Sequence, residues 1–166
     1  MKKAVWSAAA AAAILMCSTS AQAQTTLATH NVTATVTVTN LARLTVGGPL
    51  SFPDTDPDSA TSITVPAINV SAKARVAASA NILLTVISDK SHFDAPGTTI
   101  PVSGLTWTAT GSAFINGTMS SAGAQTVASW TGPANQTGTQ TYTLANLWSY
   151  APGAHSVTLT YTLSTP

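Results

Sequence analysis

Three of the chain's five carboxylates stand at alternate positions in one short stretch, "SFPDTDPDS", as Asp54, Asp56 and Asp58, and the sequence contains no Glu. Calcium collects oxygens from a short turning segment, so these three Asp residues are the one candidate metal site. The helix-loop-helix calcium pattern requires Gly at the sixth loop position and Glu at the twelfth. Counted from Asp54, those positions hold Ser59 and Val65. Pro53 and Pro57 stiffen the stretch towards extended or turn geometry. The competing reading is a solvated corner whose Asp side chains cap backbone N–H groups. Apart from this candidate calcium, no cofactor is implied.

The other reactive residue types are scattered. His30, His92 and His155 have no paired spacing, and only His92 has carboxylates close by in sequence, Asp89 and Asp94. No GxSxG stretch marks a nucleophile elbow. Asp54 and Asp58 share one loop, whereas a glycosidase pair must face each other across a cleft. No catalytic residue is named, and the chain is read as a non-enzyme. Among the aromatic residues, Trp107 and Trp130 lie in alternating segments and one of them is expected to fill the core. Trp148 and Tyr150, in "NLWSYAPG", are the candidate contacts for a sugar ring or a partner protein.

The segments that must position these residues begin after an apparent leader. Lys2 and Lys3, the apolar run "AVWSAAAAAAILM" and the small residues of "AQA" mark residues 1 to 23 as a signal peptide of bacterial style. The run is too short to span a bilayer and no second candidate follows, so no transmembrane anchor is expected after cleavage. The only cysteine, Cys17, lies in this leader behind Met16, where a lipid-attachment site would want a small residue. The exported chain, residues 24 to 166, then has no disulfide and no thiol, and a hydrophobic core must hold it together. Taking 23 from 166 leaves 143 residues, enough for one self-sufficient domain. Its cations are Arg43, Lys73, Arg75 and Lys90 against five Asp, a net charge of −1, so there is no basic stripe for nucleic acid. Residence in the periplasm, at the cell surface or outside the cell fits this composition.

"NVTATVTV" sets Val32, Ala34, Val36 and Val38 on one face and threonines on the other, the period-two signature of a strand. Leu41 to Val46 continues that strand bent at Asn40 or begins a second one. Further strands are expected near residues 63–65, 67–77, 82–88, 105–109, 125–130, 139–145 and 154–163, separated by segments rich in Gly, Pro, Asn and Asp. The fold class is all-β: a single antiparallel immunoglobulin-like β-sandwich of about seven to nine strands, preceded by the signal peptide.

"NVTATVTVTNLARLTVGGPLSFP" resembles the opening of exported pilin-like sandwiches of the colonisation-factor and spore-coat-U groups. "VSAKARVAASANILLTVISD", "IPVSGLTWTATG" and "PGAHSVTLTYTLSTP" are similar, in order, to later segments of those pilins, and the last also resembles the ending of WxL cell-surface domains. The pilin resemblance implies donor-strand complementation, in which an incomplete sandwich accepts a strand from its neighbour. Thr29 to Thr39 would be the donor strand, with Val32, Val36 and Val38 as its apolar teeth. In the competing reading, the same segment is the first strand of a complete sandwich. The expected function is a structural or adhesive cell-surface protein, a pilus-like subunit, partnered by copies of itself or by other surface subunits. The alternative is a carbohydrate or cell-wall binding module using Trp148 and Tyr150.

Overall fold

The computed structural model describes residue 28, residues 30–94 and residues 100–166. The leader assigned to residues 1 to 23, with Cys17, lies outside the described residues, as does Thr29. One compact unit runs from Thr37 to Pro166. Among its described residues, the regular structure is β except for a single 3₁₀ turn at Val102–Gly104, and every strand pairing is antiparallel.

The strands are β1 (Leu41–Val46), β2 (Ser62–Thr64), β3 (Ile68–Arg75), β4 (Asn81–Ser88), β5 (His92–Phe93), β6 (Ile100–Pro101), β7 (Leu105–Thr110), β8 (Gly117–Thr118), β9 (Gln125–Thr131), β10 (Ala134–Ala145) and β11 (Leu159–Ser164). Six of them form one sheet in the order β1-β3-β10-β7-β8, with β2 also paired to β10. β3 takes the first part of β10, through Gln140↔Ile68, and β2 takes its end, Thr143 to Ala145, on the same side. Pro66, between them, has no N–H to give to a ladder, so one long strand is divided into two. The second sheet is β11-β4-β9, and β5 pairs with β6 alone.

Alternation puts one face of each long strand inside. Val70, Ala72 and Ala74 of β3 are buried, as are Ile82, Leu84, Val86 and Ser88 of β4. The buried cluster draws on both larger sheets, with Val70, Leu105, Trp107, Tyr142 and Leu144 from the first and Leu84, Val86, Val127 and Ala128 from the second. Trp107 is the aromatic centrepiece: it is almost fully buried, its indole Nε1 donates to the Ile115 carbonyl at 2.9 Å, and its ring meets Tyr142 at 6.0 Å between centroids. Trp130 is only half-buried.

Three expected elements differ. Residues 31–40 alternate as a strand should but carry no strand pairing; the first ladder begins at Leu41. Alternation reports which face would be buried, not whether a partner edge is present. β10 starts at Ala134, inside "TGPANQTG", because Gly132 makes the turn at φ 77° and the chain then runs along β3. The last strand starts at Leu159 rather than Ala154, since Pro152 and Gly153 hold the preceding residues in a loop.

Candidate functional site

The two sides where the larger sheets meet are built differently. On the β8–β9 side the sheets are stitched together: Ile115 N donates to Val127 O, Ser129 N to Ala113 O and Ser88 N to Ser120 O, at 2.9, 3.1 and 3.0 Å. Phe114 and Ala128 form a bridge on the same side. On the opposite side the edges are β1 and β11, which among the described residues pair only with β3 and with β4. A groove of about 1030 Å³ lies on this side, lined by the end of β1, the Gly47–Thr55 loop, the Asn146–Thr158 segment and Leu159 and Tyr161 of β11.

Its walls mix polar and apolar groups, with Ser51, Thr55, Asn146, His155, Ser156 and Thr158 beside a set of apolar side chains. Val46, Leu50, Phe52, Ile68, Tyr150, Val157, Leu159 and Tyr161 line the groove and pack on the core while staying only partly buried. Phe93, Ile100, Leu105 and Leu144, all buried, form its deeper lining. The segment entering β11 is held on its β4 side: Asp89 Oδ1 accepts from Thr158 N at 2.9 Å, and Asp94 and Ser156 form a bridge. These contacts leave the groove-facing edge of β11 unpaired among the described residues.

One polar network crosses the core beside the groove. The Tyr161 hydroxyl donates to Gln140 Oε1 at 2.6 Å and is hydrogen-bonded to the Tyr142 hydroxyl. Since the Tyr161 proton goes to Gln140, Tyr142 is the donor in the pair. Burial pushes the Tyr142 hydroxyl far above its usual value, and the Tyr161 hydroxyl beside it adds to the shift. Burial also raises Tyr161, against a smaller lowering by the hydrogen bond from Tyr142. Gln140 is fully buried, and its Nε2 has no hydrogen-bond partner among the described residues.

The acidic stretch is a corner at one end of the groove. Asp56 Oδ1 accepts from Asp58 N at 2.9 Å, and Asn146 Nδ2 donates to the carbonyls of Thr55 and Ala60, also at 2.9 Å. Asp58 Oδ1 accepts from Trp148 Nε1 at 2.9 Å. Asp54, Asp56 and Asp58 are all exposed, and no three His, Cys, Asp or Glu side chains gather to hold a metal ion among the described residues.

Trp148 is 69% exposed, whereas Tyr150 packs on the core, where burial raises its hydroxyl pKa. Both line the same groove end, and only Trp148 offers an open ring. Val32 and Val36 are each 83% exposed and Val38 is 61% exposed, with no strand assigned to any of them. In the strand expected near residues 154–163, Val157, Leu159 and Tyr161 stand at alternate positions. The sequence carried no signal that this strand borders an open groove, because the edge is set by which strands pair. No family model matches the chain, and neither the curated proteins nor the solved structures give a match.

Proposed function

We propose that this chain is an exported, non-enzymatic structural subunit of the cell surface, an immunoglobulin-like sandwich whose groove between β1 and β11 takes the leading segment of another copy. The observation that carries the reading is a complementary pair within one sequence. A groove with an apolar floor touches two edge strands, at Val46 of β1 and at Leu159 and Tyr161 of β11, whose outer edges are unpaired among the described residues, and an alternating segment has three exposed valines and no ladder of its own. An extended strand added there would satisfy the backbone groups of β1 and β11 and bury alternate side chains. The lengths agree: Val32 to Val38 spans about 20 Å at roughly 3.3 Å per residue, close to the span of the six-residue strands β1 and β11.

The sugar-binding alternative draws support from the exposed ring of Trp148, but Tyr150 is committed to the core and gives no second ring. Strand addition accounts for both unusual features, so it is preferred.

The test is a chain lacking Gln24 to Thr39, mixed with a synthetic peptide of residues 28 to 40. The shortened chain should stay folded, fail to self-associate, and melt at a higher temperature once the peptide is bound. A shortened chain that unfolds would make the segment an internal first strand. A folded one that ignores the peptide would remove strand addition.

A further inference from the structure

The charged residues divide between the two ends of the domain. β3 ends at Arg75 beside Leu41, the first residue of β1, and Arg43 stands directly opposite Lys73 across these two strands. All three cations are exposed, and none has a carboxylate within ion-pair distance among the described residues. Like charges placed face to face on a sheet are unfavourable by themselves, which points to an anion supplied from outside the domain. The leading segment departs from this same end, where Arg75 Nε donates to the Thr39 carbonyl at 2.9 Å.

The carboxylates occupy the other end. Asp54, Asp56 and Asp58 are tied to the end of β10 through Asn146 and Trp148. Asp89 and Asp94 follow the end of β4, where Ser88 pairs with Leu159, and Lys90 there is ion-paired with Asp94. One end thus carries three cations, the other five carboxylates and one lysine. The acidic end also holds Trp148 and Leu147, 69% and 50% exposed, at the groove mouth, while Leu41 on the basic end is 63% exposed.

Strand direction brings these ends together. β11 runs from the acidic end, at Leu159, towards the basic end, at Ser164. β1 runs the other way, from Leu41 at the basic end, so a strand lying between the two edges is antiparallel to one and parallel to the other; laid antiparallel to β11 it leaves the groove at the acidic end, the direction that the charges of the two ends favour. The residue that follows it is Leu41 of the incoming copy, with Arg43, Lys73 and Arg75 around it. Laid antiparallel to β1 instead, it would set two basic ends against each other.

We infer that successive copies meet end to end, the basic end of one (Arg43, Lys73, Arg75) against the acidic, Trp148-bearing end of the next, and that this contact steers and orients assembly. It rests on the strand-addition reading, and its partner is a second copy of this chain. The steering makes association sensitive to salt and to the sign of either end.

The test follows self-association of the full chain by light scattering at low and high salt in three variants. The first is R43E with K73E, the second D54K with D56K, and the third carries all four changes. These side chains are exposed; D56K gives up one hydrogen bond within its own turn, from Asp58 N, while Arg75 and Asp58, which bond to distant parts of the chain, are left alone. At low salt each single-end reversal should slow association by about tenfold or more, and high salt should erase the difference. The four-fold variant should recover, because its ends again attract. Equal rates in all chains, absence of self-association, or failure of the four-fold variant to recover would overturn the end-to-end contact. Binding of the residue 28–40 peptide reads the groove separately: if it persists while the charge effects are absent, strand addition stands without the contact. If the peptide fails to bind while charge-swap rescue is seen, the contact stands without strand addition.

Discussion

Replacing Val36 with Thr preserves the branched shape and the preference for extended backbone, and exchanges one methyl for a hydroxyl. Val36 is 83% exposed and in no ladder, so within one chain the change should move stability by no more than about 0.5 kcal/mol. In the groove of a second copy the outcome is different. A seat among Val46, Leu50, Phe52, Ile68 and Leu159, apart from the polar lining residues Ser51, Thr55, His155 and Ser156, would offer a hydroxyl no side-chain partner. Burying an unpaired hydroxyl costs roughly 1–3 kcal/mol, a loss of about 5- to 150-fold in affinity. Val36→Ala sets an independent scale: two methyl groups at about 0.8 kcal/mol each give about 1.6 kcal/mol, or roughly 15-fold. Fluorescence anisotropy with labelled 28–40 peptides against the chain lacking Gln24 to Thr39 measures both. Urea melts of the full-length variants measure the intramolecular effect. Thr and Ala peptides that bind as tightly as the Val peptide would refute the reasoning. So would a full-length Val36→Thr chain destabilised by more than about 2 kcal/mol, since that would place Val36 inside its own domain's core.

Tyr142 and Tyr161 both have hydroxyl pKa values raised in the folded state by burial. Their contribution to stability is therefore full below the ordinary tyrosine value near 10 and declines as pH rises through and above it. The decline should be about 1.4 kcal/mol per pH unit for each tyrosine that ionises only on unfolding, and Tyr161→Phe should reduce the slope in urea melts between about pH 9 and 11.5. Gly117→Ala would place a Cβ 2.2 Å from Cζ2 of the buried Trp107, so it should destabilise the domain by roughly 1–3 kcal/mol in chemical denaturation and perturb tryptophan fluorescence. Adding millimolar calcium should leave the melting temperature unchanged, because Asp58 is engaged by Trp148 and the acidic side chains do not gather around one point; a rise of several degrees would restore the metal site.

Period-two patterning made much of the architecture legible. Alternation in "INVSAKAR" marked β3, because a strand that packs on one side must repeat every second residue, whereas the apolar run "ILLTVI" marked β4 as a strand without choosing its buried face. Patterning failed where pairing depends on distant chain. The two-residue strands β5, β6 and β8 have too little sequence to carry a period, and β10 gained its first residues from the neighbouring β3 edge. The acidic corner was legible as a turn, but the Asp58–Trp148 hydrogen bond joins residues 90 positions apart and leaves no local trace.

The sequence by itself determined an all-β chain and the apolar faces of its strands, because those follow from residue type and spacing. It also placed Val32, Val36 and Val38 on one face of an alternating segment. Only the tertiary structure decided which edges stay unpaired. Among the described residues the β8–β9 side is closed by backbone hydrogen bonds and the β1–β11 side is not, a consequence of which strands lie beside which. Alternation is a local property, whereas an open edge belongs to the whole sheet. Segregation of the charges to opposite ends also came from topology, since strand direction carries Arg43, Lys73 and Arg75 to one end and the five carboxylates to the other.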